Sequence, residues 1–372
     1  MTNRERMLAI MDGKSPDQIP WIPRLQIWHR AHQINGTLPE RYKDWDLRDI
    51  ERDLGMGTPA KGGHVYRTKV EGVEMKTHKR GSETLTEYIT PVGTVTEFRS
   101  ITPELERVGL GARAQDHMIK KIEDYDVVAY MVEHTEYIPT YEEYMAYEEE
   151  VGEDGVPLVS IGDCPMNRIL RESIGYNDFY FELHDHTDKV ESLAALMAER
   201  DREMWKIVAE SPASLVQHGS HFDSIMTPPP LFDQYFKSYY QEFSKLLHSE
   251  GKTLSFHADA DTKLLLRPTM EAGFDMGECF ATAPMVPCTL AEAREVWENN
   301  VIIWGGLPST MLCDPTPEKE FEGYMMMLFQ TIAPGDHFVL GVADNVMPEA
   351  RFDRIVRVGQ MVEEYGKYPI RM

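Results

Sequence analysis

The chain has 372 residues, 42% of them apolar, and sets 38 basic against 62 acidic side chains for a net charge of −24. This apolar content fills a core and excludes a disordered chain, and the length suits one large α/β barrel or two ordinary domains. The negative charge excludes non-specific nucleic-acid binding and attraction to an anionic membrane surface.

Four cysteines (Cys164, Cys279, Cys288, Cys313) are too few for a disulfide framework, and none forms a CxxC pair. The expectation is a cytoplasmic protein with reduced thiols. No run approaches the roughly 20 apolar residues that cross a bilayer. The opening MTNRERMLAIMDG is amphipathic and lacks the apolar stretch of a signal peptide.

Residues 2 to 12 read as a helix with Met7, Leu8, Ile10 and Met11 on its apolar face and Gly13 as its stop. QIPWIPRLQIWHR follows as a Pro-punctuated first strand entering a loop. From about Val65 to Ile101, polar and apolar residues alternate between Gly turns, which predicts antiparallel hairpins. Residues 65–101 are thus an insertion within one domain spanning 1–372.

From about Val156 strand, loop and helix repeat. PLVSIG leads to NRILRESIG, SLVQHGS to the helix after PPP, and TLSFH to TKLLLRPTMEAG. FDMGECF leads to LAEAREVWENN, VIIWGG to EKEFEGYMMMLFQTIA, and HFVLGVAD to EARFDRIVRVGQMVEEYG. Alternating strands and helices imply parallel strands with right-handed crossovers. Six units plus the N-terminal run predict a TIM (β/α)8 barrel. A doubly wound open sheet is the weaker alternative, because no GxGxxG follows the first strand and no P-loop occurs.

Several of these strands end in acids and imidazoles, at the barrel end where ligands and metals bind. His257 and Asp259 lie two apart at one strand end and face one side. Asp259 or Asp261 is also placed to cap the next helix. His221 and Asp223 follow another strand, in a loop before three prolines, while His218 reads as a core histidine. Glu278 follows an apolar run, and an acid there can bind a cation or carry a proton. Cys279, next to it, faces the opposite way on a regular strand and reads as packing. Asp344 closes FVLGVAD, where an Asx turn with Asn345 is the competing reading. Cys313 and the run Met325 to Met327 read as packing. Arg24, Trp21 and Trp28 could shape an apolar pocket with one cation, or plug the barrel.

These residues resemble the uroporphyrinogen decarboxylase superfamily. The matching stretches are RERMLAIMDGKSPDQIPW, TPVGTV, SHFDSIMTPPPLFDQYF, SFHADAD and GVADNVMP. The resemblance implies a TIM barrel and either decarboxylation or corrinoid-dependent methyl transfer. The decarboxylase branch carries an RQAGR-like segment after the first strand, and here the region reads RLQIWHRAHQING. The methyltransferase branch binds zinc through His-x-Cys and a later Cys. Here those positions read His257-Ala258-Asp259 and Asp344.

The imidazole matches and the thiolates do not, and a harder donor set suits an oxygen-bearing substrate. The expected function is therefore methyl transfer from a methoxylated, aromatic compound to the cobalt of a corrinoid protein. His257, Glu278 and Asp344 are expected to hold zinc. His221 and Asp259 are expected to supply or steer a proton, and Arg24 and Trp28 to bind substrate. The cobalamin is expected on a partner corrinoid protein, because this chain lacks DxHxxG. A homodimer is compatible with the sequence. The alternatives are a decarboxylase of a small or tetrapyrrole acid and a non-catalytic corrinoid accessory protein.

Overall fold

A computed structural model describes residues 1–372. Its twelve strands are β1 (Tyr66–Val70), β2 (Glu74–Arg80), β3 (Glu83–Thr90), β4 (Gly93–Ser100), β5 (Arg113–Asp116), β6 (Thr135–Pro139), β7 (Leu158–Ser160), β8 (Leu215–Ser220), β9 (Thr253–His257), β10 (Met276–Phe280), β11 (Ile302–Pro308) and β12 (Phe338–Ala343). The chain separates into two compact units. One is Met1–Gly63, Glu143–Gly162 and Ala213–Met372; the other is His64–Glu142 and Asp163–Pro212.

The second unit contains the antiparallel strands expected from alternation. β2, β3, β4 and β5 pair in that order, and β1 pairs with β6. The meander therefore runs beyond residue 101, through β5. The helix Thr187–Glu210 belongs to the same unit, and its buried Asp201 receives both carboxylate bonds from Arg168, at 2.8 and 2.7 Å.

The first unit is the barrel. β7 to β12 form one parallel sheet in sequence order, each strand joined to the next through helical segments. Two extended segments bridge its edges. Ile22 N donates to Leu340 O of β12 at 2.8 Å and Leu340 N to Pro20 O at 2.9 Å. Gly57 N then donates to Trp21 O at 2.9 Å, and Leu158 N of β7 to Ala60 O at 3.0 Å. Six strands and two irregular segments thus occupy the eight positions that a (β/α)8 barrel requires.

The N-terminal helix Asn3–Met11 forms because Thr2 and Glu5 make a reciprocal capping box. Its Met7 and Ile10 are buried against Leu158, Leu215, Met276, Ile302 and Val339, at or near the starts of five strands. Burying two such side chains contributes about 4–5 kcal/mol. The helix therefore stops the N-terminal end of the barrel and leaves the carboxyl ends of the strands as the place for a site. No helix is long and apolar enough to cross a membrane.

Candidate metal centre and its cavity

Parallel register brings the first pair together. Glu278 on β10 pairs with His257 on β9, so the two side chains rise from the same level on neighbouring strands. His257 Nδ1 donates to Glu278 Oε2 at 2.6 Å. Its Nε2 is thereby turned the other way, toward Asp344 Oδ1 at 3.2 Å and Asp259 Oδ2 at 3.5 Å.

Glu278 is completely buried, and it accepts from four groups. Besides His257 these are Gln217 Nε2 at 2.8 Å, Lys61 Nζ at 2.7 Å and Cys279 Sγ at 2.9 Å. Burial alone would push its carboxyl up, but Lys61 and His257 outweigh burial and hold it well below the usual range. Burial likewise opposes the charge on His257, and Glu278 overrides it and raises the imidazole well above its ordinary value.

Glu278, expected among the metal donors, instead lies behind His257. A buried carboxylate on the far nitrogen fixes the tautomer and orientation of a ligating imidazole. Lys61 and Gln217, which nothing in the sequence marked, hold that carboxylate.

Cys279 reverses the packing expectation. Strand alternation would turn it away from Glu278, but β10 is bulged: Glu278 pairs with Trp304 and Phe280 with Gly305, so Cys279 is the extra residue, at φ 58°. Its Sγ lies within hydrogen-bond reach of Glu278 and of Asp344 O, the latter at 3.2 Å. Burial first, and Glu278 second, push its thiol up. Gly305 on β11 makes the bulge feasible. A Cβ there would stand 2.5 Å from Phe280 N and 2.8 Å from Phe280 O.

One ligand atom each from His257, Cys279 and Asp344 lies within 4.8 Å of the others. One nitrogen, one sulfur and one oxygen donor, with a carboxylate behind the imidazole, fit zinc with a position left for a further ligand. Arg24 faces the same donors. Its Nη1 pairs with Asp344 Oδ1 and lies 3.5 Å from Cys279 Sγ. Burial works against the Asp344 carboxylate, while His257 and Arg24 hold its ionisation range below normal.

Asp259 also opposes burial with partners. His221 Nδ1 is 2.8 Å from its Oδ1, and together with His257 it keeps the carboxyl well below the usual range. His221 has φ 53°, its ring lies 5.6 Å from that of His257, and it remains partly exposed. The structure brings Arg24, His221, His257, Asp259, Glu278 and Asp344 together. Trp28 lies elsewhere: it is 1% exposed, stacks on Phe352, and donates Nε1–H to Ala350 O. Its helix turns the indole inward, so a substrate-binding role does not fit its position. His218 is the core histidine expected, bonded to Gly162 O and Tyr239 Oη.

A cavity of about 270 Å³ adjoins this cluster and is lined by Arg24, Leu25, Glu51, Thr58, Lys61 and Tyr147, among others. Arg24 and Lys61 belong to both. The cavity has apolar walls in Leu25, Leu47, Pro59 and Ala60, and suits a small molecule rather than a four-ring one.

Residues 109–365 match the model of the uroporphyrinogen decarboxylase (URO-D) family, and the chain belongs to that family. Among solved structures it resembles a methyltransferase from Methanosarcina mazei, with 15% identity, a TM-score of 0.55, and coverage of 98% of this chain and 99% of that one. That likeness shows the fold. None of the curated proteins matches the chain.

Proposed function

We propose that this protein is a corrinoid-dependent methyltransferase that removes the methyl group of a small methoxylated aromatic compound and delivers it to the cobalt of a corrinoid on a partner protein. The observation that carries the reading is the His257–Cys279–Asp344 donor set at the strand ends, next to a partly apolar cavity of about 270 Å³. The family contains decarboxylases, and the structural relative named above is a methyltransferase.

An aryl methyl ether is inert because its oxygen is a poor leaving group. His257, Cys279 and Asp344 would hold zinc, and zinc bound there supplies Lewis acidity toward the ether oxygen. The corrinoid supplies the nucleophilic metal. In the net reaction the oxygen–methyl bond breaks, its electron pair stays on oxygen as phenolate, and the methyl group leaves to cobalt.

This chain's side chains bind and orient. Glu278, locked by Lys61 and Gln217, keeps the proton of His257 on Nδ1 and its Nε2 toward the other donors. Arg24 uses only Nη1 in its bonds to Cys279 and Asp344, so its other N–H groups are free to meet the developing phenolate. His221, steadied at Nδ1 by Asp259 and partly exposed, carries a proton from bulk water to that oxygen.

The test is zinc content of the purified protein, then methyl transfer to cob(I)alamin from a panel of methoxyarenes. Methylcobalamin and phenol should appear together and depend on zinc. Zinc-loaded protein that transfers no methyl group to cobalamin from any arene would end this reading. The family's named activity, decarboxylation, is the second reading, and carbon dioxide release from arene carboxylates would reveal it.

A further inference from the structure

Strand β12 ends at Ala343, and Asp344 and Asn345 follow it directly. An aspartate in such a place ordinarily turns back on its own chain and accepts from the amide two residues on. That amide, Val346 N, donates instead to Arg24 O at 3.0 Å. The Asp344 carboxylate is thereby left to side chains.

Its two oxygens meet different neighbours. Oδ1 pairs with Arg24 Nη1 and lies 3.2 Å from His257 Nε2, on the side of the other donors. Oδ2 accepts from Asn345 Nδ2 at 2.5 Å. A carboxylate only accepts, so the Asn345 amide presents its NH₂ group and not its oxygen. Asn345 is 5% exposed, so water competes little for this bond. A hydrogen bond to an ionised oxygen in such surroundings is one of the strong ones.

The difference between the oxygens has a chemical consequence, because a carboxylate holds a metal ion by one oxygen or by both. With one oxygen from Asp344, the ion has three protein ligands in all, and a fourth position stays open for a reacting oxygen. With both, the carboxylate takes that position itself.

We propose that Asn345 is a positioning residue: by holding Oδ2 it restricts Asp344 to ligation through Oδ1 and keeps one coordination position free for substrate. Arg24 on Oδ1 does not block this, since each carboxylate oxygen has two lone-pair sites. The inference rests on the proposed reading of His257, Cys279 and Asp344 as metal donors, and methyl transfer is not needed to test it.

The experiment loads the full-length protein with cobalt(II), measures cobalt affinity by chelator competition, and titrates azide into the open position while recording visible absorption. Azide should shift the cobalt bands of wild-type protein. Asn345→Leu keeps the volume and removes the donor, so Oδ2 is released to the ion. Azide should then bind about tenfold more weakly, the factor that one hydrogen bond to a charged group sets, while cobalt affinity holds or rises. Asn345→Ala should behave in the same way and decides the matter if the leucine variant does not fold. A variant whose only fault is a disturbed loop would lose cobalt, and its remaining metal would take azide more readily.

Wild-type azide affinity in both variants overturns the inference, as does loss of cobalt from both. Wild-type protein that binds no cobalt, or whose bands azide does not move, overturns it too. Azide weakened as expected, in a protein that demethylates no arene, would keep the role of Asn345 and remove the proposed methyl transfer.

Discussion

Gly305→Ala is the sharpest probe of the site, because the residue touches no donor. Its φ is 145°, a region that L side chains rarely adopt, and the added Cβ would lie 2.5, 2.8 and 3.0 Å from N, O and Cα of Phe280. These are backbone atoms, so no side-chain rotation relieves the clash. The backbone conformation costs about 1–3 kcal/mol and the overpacking about as much again. The sum, about 2–6 kcal/mol, is below or near the total stability of a typical domain.

The protein should therefore still fold, and the cheapest relief is to undo the bulge at Cys279. The thiol then returns to the side that regular alternation dictates and leaves the donor set. The assay is cobalt(II) substitution followed by absorption. Wild-type protein should show a thiolate-to-cobalt charge-transfer band; Gly305→Ala and Cys279→Ser should both lose it, while circular dichroism of Gly305→Ala stays native. A full-strength band and unchanged zinc affinity in Gly305→Ala would refute the argument that the glycine licenses the bulge.

Three further outcomes are expected. His257→Ala should abolish zinc binding, whereas Glu278→Gln should weaken it about 10- to 100-fold, the usual effect of removing the carboxylate behind a ligating imidazole; competition with a chromogenic chelator measures both. Removing zinc with a chelator should lower the melting temperature of wild-type protein, and it should leave that of His257→Ala unchanged, because only a folded state that binds metal gains from it.

Stability should also fall with rising pH between the unfolded Glu51 value near 4.5 and its folded value of about 8. An acid raised on folding keeps a proton that the unfolded chain has released, so its contribution is full below about 4.5 and lost as pH climbs to about 8. At about 1.4 kcal/mol per unit the change is on the order of 3–5 kcal/mol, and urea melts should show Glu51→Gln with a flatter profile.

The barrel was legible because strand, loop and helix repeat six times after Val156 with chemistry-bearing residues at the strand ends. His257, Asp259 and Asp344 stood out for that reason, since strand ends share one face of a barrel. Cys279 did not, because alternation assumes a regular strand and the irregularity is permitted by Gly305, a residue on the neighbouring strand. The adjacent glycines of WGGLP were the one available signal. Lys61, Gln217 and Glu51 carry no local mark: the first two matter only through a carboxylate that register brings near, and the third through its burial. Trp28 misled because an aromatic residue beside an arginine looks like a pocket wall, and only the helix's orientation decides which way the indole points.

The ring of strands is unevenly fastened. Where β7 to β12 meet, ladders join each strand to the next, whereas the two N-terminal segments are tied in by one or two amide bonds at each joint. That loosely stitched arc is the one that leads into Arg24 on one side and ends at Lys61 on the other, with the cavity against it. The side of the cylinder held by the fewest backbone bonds is thus the side that carries Arg24 and Lys61, while the candidate metal donors sit at the ends of strands fastened by ladders.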